Sequence, residues 1–315
     1  MEIEYGFQTE EIRQFPRMVI AGVSFACNAK CIHCIYEVFP ETKSKTSGDK
    51  AFMNLYTFKK IADECSKYPH VLLRLVGFGE PMLNPKFFEM IEYAKGVGCN
   101  VGIITNGALL TREKAERLLN SNIDAVDISV DAYTKEVYEK IRVGLDFDKL
   151  KNNVKDLISL RNKMGKSTFI FCSIVEQDEV MHELKQALEY WGKIADKAVS
   201  RKFLTFGLFD YDNKRKPYYE NRIPCPLIFD RINVDCNGVI RLCGYDSFGV
   251  TNLGNISDSD SAIHDAWHGK EMEGLREKHL KMNFAETGLC QKCQDWPFHS
   301  WNINYMQDSF KKIRR

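Results

Sequence analysis

The sequence predicts an α/β protein: six βα units forming one parallel sheet, followed by a small second domain. Two observations carry this prediction. The first two thirds of the 315-residue chain alternates short apolar runs with amphipathic stretches, as buried parallel strands and their helices do. Near residue 210 the sequence becomes polar and turn-rich, which is typical of a linker. The sheet is either curled into a partial TIM-like (β/α)6 barrel or open and doubly wound. The number of strands does not distinguish these two architectures.

The apolar runs and the helical patterns follow one another in order along the chain. The predicted strands are 18–25, 71–78, 100–105, 125–130, 169–175 and 202–209. The predicted helices of this part are 54–67, 84–97, 111–121, 147–164 and 181–196. We place the domain boundary between 1–209 and 210–315. In the second domain, Asn237-Gly238 lies between two short alternating runs and predicts a β-hairpin, and residues 263–282 are predicted to be helical.

Composition and charge exclude several classes of protein. Hydrophobic residues make up 44% of the chain and charged residues 28%, which is a globular profile and not a disordered one. The formal net charge of +1 does not indicate a nucleic-acid or membrane-surface partner. The acidic N-terminal segment is no signal peptide, and no apolar run is long enough to span a membrane. We therefore expect a cytoplasmic protein.

Three of the eleven cysteines, Cys27, Cys31 and Cys34, directly follow the first predicted strand. Three thiolates within eight residues can converge on one small object and leave its fourth coordination position open. A [4Fe–4S] cluster with one unique iron fits this arrangement, and so does a zinc ion with an external ligand. In barrels, the chemistry lies at the carboxyl ends of the strands, which is where this loop begins.

The spacing CxxxCxxC resembles that of the radical S-adenosylmethionine (SAM) superfamily, and later strand ends extend the resemblance. Residues 77–81, Gly-Phe-Gly-Glu-Pro, are similar to the family's GGEP loop, with Phe78 in place of its first glycine. The resemblance implies a partial barrel with a [4Fe–4S] cluster on the three cysteines. It also implies SAM as cofactor, contacted by His33, Gly79, Glu80, Asn106, Ser129, Asp131 and Arg142.

A second set of cysteines lies in the C-terminal domain: Cys225, Cys243, Cys290 and Cys293. The predicted hairpin brings the first two together, and four thiolates would close the coordination sphere of zinc or of a [4Fe–4S] cluster. The flanking sequence is similar to the SPASM/twitch domain, which implies an auxiliary iron–sulfur cluster. No cysteine follows Cys293, so we predict one auxiliary [4Fe–4S] cluster in the shorter twitch-like form.

The resemblance implies reductive cleavage of SAM to a 5′-deoxyadenosyl radical, which abstracts a hydrogen atom from the substrate. We expect oxidation of a small hydroxylated, sugar- or cyclitol-like molecule, with a flavodoxin- or ferredoxin-type electron donor. The alternative is a ribosomal-peptide maturase or a radical SAM epimerase, although the 26 residues before Cys27 leave no room for a leader-recognition domain. A zinc-binding structural protein is the non-enzymatic alternative.

Two further sets of residues are candidates for the substrate chemistry. An epimerase needs a thiol that returns a hydrogen atom to the substrate radical. Cys236, at the exposed tip of the predicted hairpin, is a weak candidate for this thiol. The alternative, that Cys236 is an ordinary hairpin residue, is favoured. Candidate proton acceptors follow the fifth and sixth predicted strands, where substrate contacts are expected. They are Glu176, Gln177, Asp210 and Tyr211.

Overall fold

One eight-stranded sheet organises the described part of the computed structural model, which comprises residues 5–39, 50–204, 222–246, 249–299 and 301. Its strands are β1 (Met18–Ser24), β2 (Leu72–Gly77), β3 (Asn100–Thr105), β4 (Ala125–Ser129), β5 (Phe169–Glu176), β6 (Lys197–Lys202), β7 (Arg231–Val234) and β8 (Ile240–Arg241). The spatial order is β6-β5-β4-β3-β2-β1-β7-β8. From β1 to β6 every new parallel strand is added at the same edge of the sheet. A doubly wound sheet reverses direction at a central strand, so this order confirms the partial barrel.

Helices connect the strands, as the apolar spacing predicts. They are α1 (Glu10–Gln14), α2 (Ile35–Val38), α3 (Leu55–Ser66), α4 (Phe87–Gly96), α5 (Arg112–Asn120), α6 (Lys135–Ile141), α7 (Phe147–Lys163), α8 (Leu184–Ile194), α9 (Ala262–Trp267), α10 (Lys270–Leu280) and α11 (Leu289–Lys292). Side chains of Asn54, Thr111, Thr134 and Asp146 accept backbone N–H groups of the first turns of α3, α5, α6 and α7, which fixes where these helices begin. Within the described residues, no helix is both long enough and apolar enough to cross a membrane.

Two predicted elements differ from the structure. The sixth strand lies at Lys197–Lys202, before the predicted run 202–209, of which residues 205–209 lie outside the described part. Among the described strands β6 pairs only with β5, and none of its residues is buried. A strand at the edge of a sheet that is not buried needs no continuous apolar run. The predicted helix 263–282 is divided into α9 and α10, because Gly269 adopts an extended backbone with ψ 150°.

The C-terminal region continues the barrel sheet. β7 pairs in parallel with β1, with Met18 opposite Arg231 and Ala21 opposite Val234. The predicted hairpin is confirmed, since β8 returns antiparallel to β7 and Gly238 supplies the positive φ of +83° that its turn requires. The predicted boundary at 209/210 falls within residues 205–221, outside the described part, and stays a prediction.

Candidate active site

A cavity of about 670 Å³ runs through the interior of the partial barrel. Cys27, Cys31 and Cys34 line it. Six of the seven residues predicted to contact SAM line the same cavity: His33, Gly79, Glu80, Asn106, Ser129 and Arg142. The structure therefore brings residues from four different strand ends to one place, although their sequence positions span more than a hundred residues.

The cysteine loop is held against the end of α6. Backbone N–H groups of Lys30 and Ile32 donate to the carbonyls of Val143 and Ile141 at 2.8 and 3.0 Å. Burial raises the pKa of Cys27 to about 11, so a positively charged centre is needed to hold its thiolate at neutral pH. The described residues contain no group of three or more His, Cys, Asp or Glu side chains that could hold a single metal ion. Three loop thiols facing one cavity fit a [4Fe–4S] cluster that keeps one iron open.

The glycine-containing loop after β2 lies directly on the segment before the cysteines. A Cβ atom at Gly79 would stand 2.0 Å from the Ala26 carbonyl oxygen, so only glycine allows this approach. The N–H groups of Gly79 and Glu80 donate to the carbonyls of Ser24 and Ala26 at 3.0 and 2.8 Å. The two loops that form this end of the cavity are therefore fixed relative to each other.

Glu80 joins the ends of β2 and β3. Its buried carboxylate accepts hydrogen bonds from Thr105 Oγ1 at 2.7 Å, from the Asn106 N–H at 2.8 Å and from the Met82 N–H at 3.2 Å. Burial raises the pKa of Glu80 above its ordinary value. The Asn106 side chain in turn donates to Asn28 Oδ1, inside the cysteine loop, at 2.8 Å. Glu80 thus positions the candidate SAM loops, a role that the family resemblance alone does not reveal.

Asp131 is the predicted SAM contact that does not line the cavity. It is fully buried, with a φ of +46° that is unusual for aspartate. Its carboxylate accepts from the Val175 N–H at 2.8 Å and forms an ion pair with Arg142. Arg142 also places Nη1 3.4 Å from the Cys31 sulfur. Asp131 therefore holds Arg142 at the cavity wall, beside the cysteine loop.

His33 lies beside the third cysteine and lines the cavity. Burial lowers its pKa to about 4, so its imidazole is neutral at pH 7. Its Nδ1 atom is buried and has no hydrogen-bond partner among the described residues. A neutral ring with an unsatisfied nitrogen in the cavity wall fits a contact with a heteroaromatic ligand such as adenine, which offers both a face and polar ring atoms.

The candidate proton acceptors have different placements. Glu176 lines the cavity and is paired with Lys202 at 2.5 Å and with Ser200 Oγ at 2.8 Å. Burial alone would raise the pKa of Glu176, but the hydrogen bonds from Lys202 and Ser200 hold this pKa below its ordinary value. Gln177 is buried and does not line the cavity. Asp210 and Tyr211 lie outside the described residues.

The second cysteine set converges as the hairpin prediction requires. Cys225, Cys243, Cys290 and Cys293 line one small cavity of about 30 Å³. Burial raises the pKa of all four thiols, that of Cys290 to about 12, so a cationic centre is again needed to keep them as thiolates. Tyr245 and His299, stacked with ring centroids 5.2 Å apart, line both this cavity and the large one.

Four cysteines belong to neither set: Cys65, Cys99, Cys172 and Cys236. All four are buried and none lines the large cavity. The expectation that Cys236 lies at an exposed hairpin tip is wrong. Its side chain is 1% exposed, because the segment at Lys50 covers the turn and its carbonyl oxygen lies 3.4 Å from the sulfur.

Sequence reasoning missed a buried ionic group in the barrel interior. Asp127 on β4 forms ion pairs with Arg74 on β2 and Arg201 on β6, and Ser173 Oγ donates to it at 2.7 Å. The sequence does contain a feature that marks two of these residues as buried charges. Arg74 and Asp127 interrupt otherwise apolar strands that are predicted to be buried, and buried charges require partners or ligands.

Replacing Gly79 by alanine should displace the loop after β2. The added methyl group meets backbone and not a flexible side chain, so we expect stability to fall by about 1–3 kcal/mol and SAM affinity to fall at least about tenfold. Anaerobic equilibrium dialysis and thermal unfolding measure the two effects. Gly96→Ala is the matched control, because no atom lies within 4 Å of its added Cβ. Equal behaviour of the two variants would contradict the role of the close approach.

Comparison with known proteins agrees with the geometry. Residues 23–188 match the radical SAM superfamily, and residues 225–294 match the SPASM family, an iron–sulfur cluster-binding domain. The first match covers more than half of the chain, which therefore belongs to the radical SAM superfamily. The family uses SAM and a [4Fe–4S] cluster, and the SPASM match indicates an additional iron–sulfur cluster. The cysteine sets that converge in the structure fall within these two matches.

Individual relatives differ in what they do. The chain is 33% identical to mycofactocin maturase MftC of Mycobacterium tuberculosis over 143 residues, which are 44% of this chain and 34% of that protein. It is 30% identical to the AdoMet-dependent heme synthase of Methanosarcina barkeri over 127 residues, 40% of this chain and 34% of that protein. The matched residues thus span about a third of the length of each of these two relatives.

Two solved structures share the fold over most of the chain. BtrN in complex with AdoMet and 2-DOIA superposes with a TM-score of 0.61 at 15% identity, over 93% of this chain and 98% of that one. SuiB of Streptococcus suis bound to the precursor peptide SuiA superposes with a TM-score of 0.67 at 13% identity, over 89% and 71% of the two chains. At these identities the likeness shows the fold alone.

Proposed function

We propose that the chain is a radical SAM oxidoreductase that removes two hydrogens from a small hydroxylated, sugar- or cyclitol-like substrate. One observation carries the choice of oxidation. All eleven cysteines lie in the described residues, and none of the four outside the two sets lines the cavity. The cavity therefore offers no spare thiol to return a hydrogen atom to a substrate radical, whereas an auxiliary cluster offers an acceptor for an electron.

In this proposal Cys27, Cys31 and Cys34 hold the catalytic [4Fe–4S] cluster. The Gly79 backbone, His33, Asn106, Ser129 and Arg142 bind SAM, with Glu80 and Asp131 positioning their neighbours. The bound cofactors supply a 5′-deoxyadenosyl radical that takes a hydrogen atom from a substrate carbon. The barrel walls hold the substrate and exclude water from this reaction.

Two further losses from the substrate complete the oxidation of CH–OH to C=O. After the hydrogen atom has left, the substrate loses the hydroxyl proton and one electron. Glu176 is the described proton-acceptor candidate that lines the cavity. Cys225, Cys243, Cys290 and Cys293 would hold a second [4Fe–4S] cluster, for which they offer one thiolate per iron. Such a cluster would supply an acceptor for the electron, and a flavodoxin- or ferredoxin-type donor would supply the first electron.

The resemblance to the butirosin-pathway deoxy-scyllo-inosamine dehydrogenase favours a small-molecule substrate for this chain. Its cysteine spacing resembles that of this chain. BtrN, whose complex contains AdoMet and 2-DOIA, shares the fold along almost its whole length. The second candidate function is ribosomal-peptide maturation, favoured by the 33% identity with MftC and by the fold shared with SuiB and its peptide.

The mass of the product separates oxidation from epimerisation. Anaerobic incubation of enzyme, SAM, reductant and the cognate substrate in heavy water should give a product two mass units lighter, without deuterium at carbon. A product one mass unit heavier, with one deuterium at carbon, would identify an epimerase and overturn the oxidation. Cys236→Ala is the control variant: its product yield should equal that of the wild type, because its buried thiol lies away from the cavity.

A further inference from the structure

We propose that His299 donates a hydrogen bond to the second iron–sulfur cluster and thereby raises the reduction potential of that cluster. This inference rests on the proposed function, in which the second cysteine set holds the cluster. We call the stacked rings of Tyr245 and His299 the aromatic partition, because both line the large cavity and the small one. The proposal is carried by the position of the partition and by one buried nitrogen atom of His299.

The aromatic partition lies between the candidate substrate site and the second cysteine set. Of the described residues, Leu227, Tyr245 and His299 line both cavities. The two rings are nearly parallel, with an interplanar angle of 10° and centroids 5.2 Å apart, which is an offset-stacked arrangement. A substrate in the large cavity would therefore be separated from the second cysteine set by a single layer of side chains.

The segments that carry the two rings also donate backbone hydrogen bonds to cysteine sulfurs. The Tyr245 N–H donates to the Cys243 sulfur at 3.5 Å, and the Asp295 N–H donates to the Cys293 sulfur at 3.4 Å. His299 follows Asp295 by four residues, and its own N–H donates into the intervening helical turn at 3.3 Å. The partition is thus built from the same short segments that surround the thiols.

The Nε2 atom of His299 is buried and has no hydrogen-bond partner among the described residues. An imidazole has at least one N–H donor whatever its charge, and the nitrogen that meets an acceptor takes the proton. Buried polar atoms in proteins are almost always hydrogen-bonded, and an exception indicates a group that the site receives. This nitrogen is therefore available to donate to a bound group.

The composition of the small cavity identifies the acceptor. Arginine and tryptophan side chains have only donors, and leucine and isoleucine side chains have neither donors nor acceptors. Apart from the partition and the four cysteines, the cavity is lined by Arg222, Leu227, Ile228, Leu289 and Trp296. Outside the partition, sulfur is thus the only side-chain acceptor among the described residues that line this cavity, and the acceptor for His299 is a sulfur atom of the cluster and its thiolates.

A hydrogen bond to sulfur changes how readily an iron–sulfur cluster is reduced. Reduction adds negative charge, and an N–H donor stabilises that charge on the sulfur atoms. His299 would therefore shift the reduction potential of the second cluster upward, which makes the cluster a better electron acceptor. Under the proposed function the substrate radical loses one electron across the partition and its hydroxyl proton separately, so the donor lies where the electron would arrive.

A potentiometric titration followed by electron paramagnetic resonance (EPR) tests this inference on the reconstituted holoenzyme without substrate. Repeating it with Cys27, Cys31 and Cys34 replaced by alanine identifies the signal of the second cluster. His299→Phe keeps an aromatic ring and removes the nitrogen, so the equilibrium constant for reduction of this cluster should fall at least about tenfold, a shift of about 59 mV to more negative potential. His299→Gln, which offers a side-chain N–H, should restore part of the shift.

The control is His182→Phe, which should leave the potential unchanged, because His182 is exposed and lines neither cavity. Iron analysis and thermal unfolding show whether each variant keeps its clusters and its fold. A second measurement uses the wild type labelled with ¹⁵N-histidine. Pulsed EPR of its reduced second cluster should show a nitrogen coupling that His299→Gln removes, and this result does not depend on the stability of His299→Phe.

Equal potentials of the second cluster in wild type and His299→Phe would overturn the inference, and so would the absence of the nitrogen coupling. Neither measurement uses a substrate, so their failure would leave the oxidation untouched. A product that is not two mass units lighter would instead contradict only the oxidation. A wild type that holds about four irons would contradict the assignment of the second cluster, and the inference would fall with it.

Discussion

Replacing Cys27, Cys31 and Cys34 together by alanine should abolish reductive cleavage of SAM. The three thiols are the only cysteines that line the large cavity in the described residues, which include all eleven cysteines. The reconstituted wild type should hold about eight irons per chain, and the triple variant about four, because the second cysteine set is untouched. Iron and sulfide analysis and the yield of 5′-deoxyadenosine measure the two losses.

The iron that remains in the triple variant tests the second site independently. Its absorbance should be that of an iron–sulfur cluster and should disappear when Cys225 and Cys243 are replaced as well. Cys236→Ala is the matched control and should keep about eight irons, because its sulfur lies in neither cysteine set. Reductive SAM cleavage by the triple variant would contradict the assignment of the catalytic cluster.

Replacing Arg142 by alanine should damage both SAM binding and the fold. In the proposed function Arg142 binds SAM, as the arginine that pairs with the SAM carboxylate does in the resembled family, and losing this proposed contact should cost about 1.5–3 kcal/mol of binding free energy. The structure adds a second effect, because Asp131 is buried and would lose its ionic partner. Breaking a buried pair typically costs about 3–5 kcal/mol of unfolding free energy. Calorimetric SAM binding and denaturant unfolding measure the two quantities separately.

A double variant separates the two effects of Arg142. In Arg142→Met with Asp131→Asn, the buried charge is gone and the long side chain is kept, so much of the lost stability should return. SAM affinity should stay low, because no cation faces the cofactor carboxylate. Recovery of SAM binding in the double variant would show that Arg142 only neutralises Asp131.

Much of the fold could be predicted because local patterns decide it. Most residues of the strands β1 to β5 are buried, and burial on both faces requires the continuous apolar runs that mark them. The edge strand β6 has one accessible face, and its polar sequence gives no such mark. The sequence pattern therefore predicts the sixth strand at the next apolar run along the chain, residues 202–209.

The candidate site was predictable to the extent that residues share a strand end. Motifs that follow successive strands of a barrel meet at one end of the barrel, and the length and sequence of the segments between the strands do not change this. Contacts between side chains are different, because they depend on the tertiary arrangement. Three such contacts were not predicted: the covering of Cys236 by Lys50, the ion pair of Asp131 with Arg142, and the ion pairs of Asp127 with Arg74 and Arg201. The spacing of residues along the chain does not record any of them.

The pairing of β7 with β1 links the two parts of the chain mechanically. β1 ends at Ser24, just before the cysteine loop, and Cys225 of the second cysteine set lies six residues before the start of β7. Separating the C-terminal region would expose a full edge of the barrel sheet, with its unpaired N–H and C=O groups. The two regions should therefore unfold in one cooperative transition, and a C-terminally truncated chain should be prone to edge-to-edge aggregation.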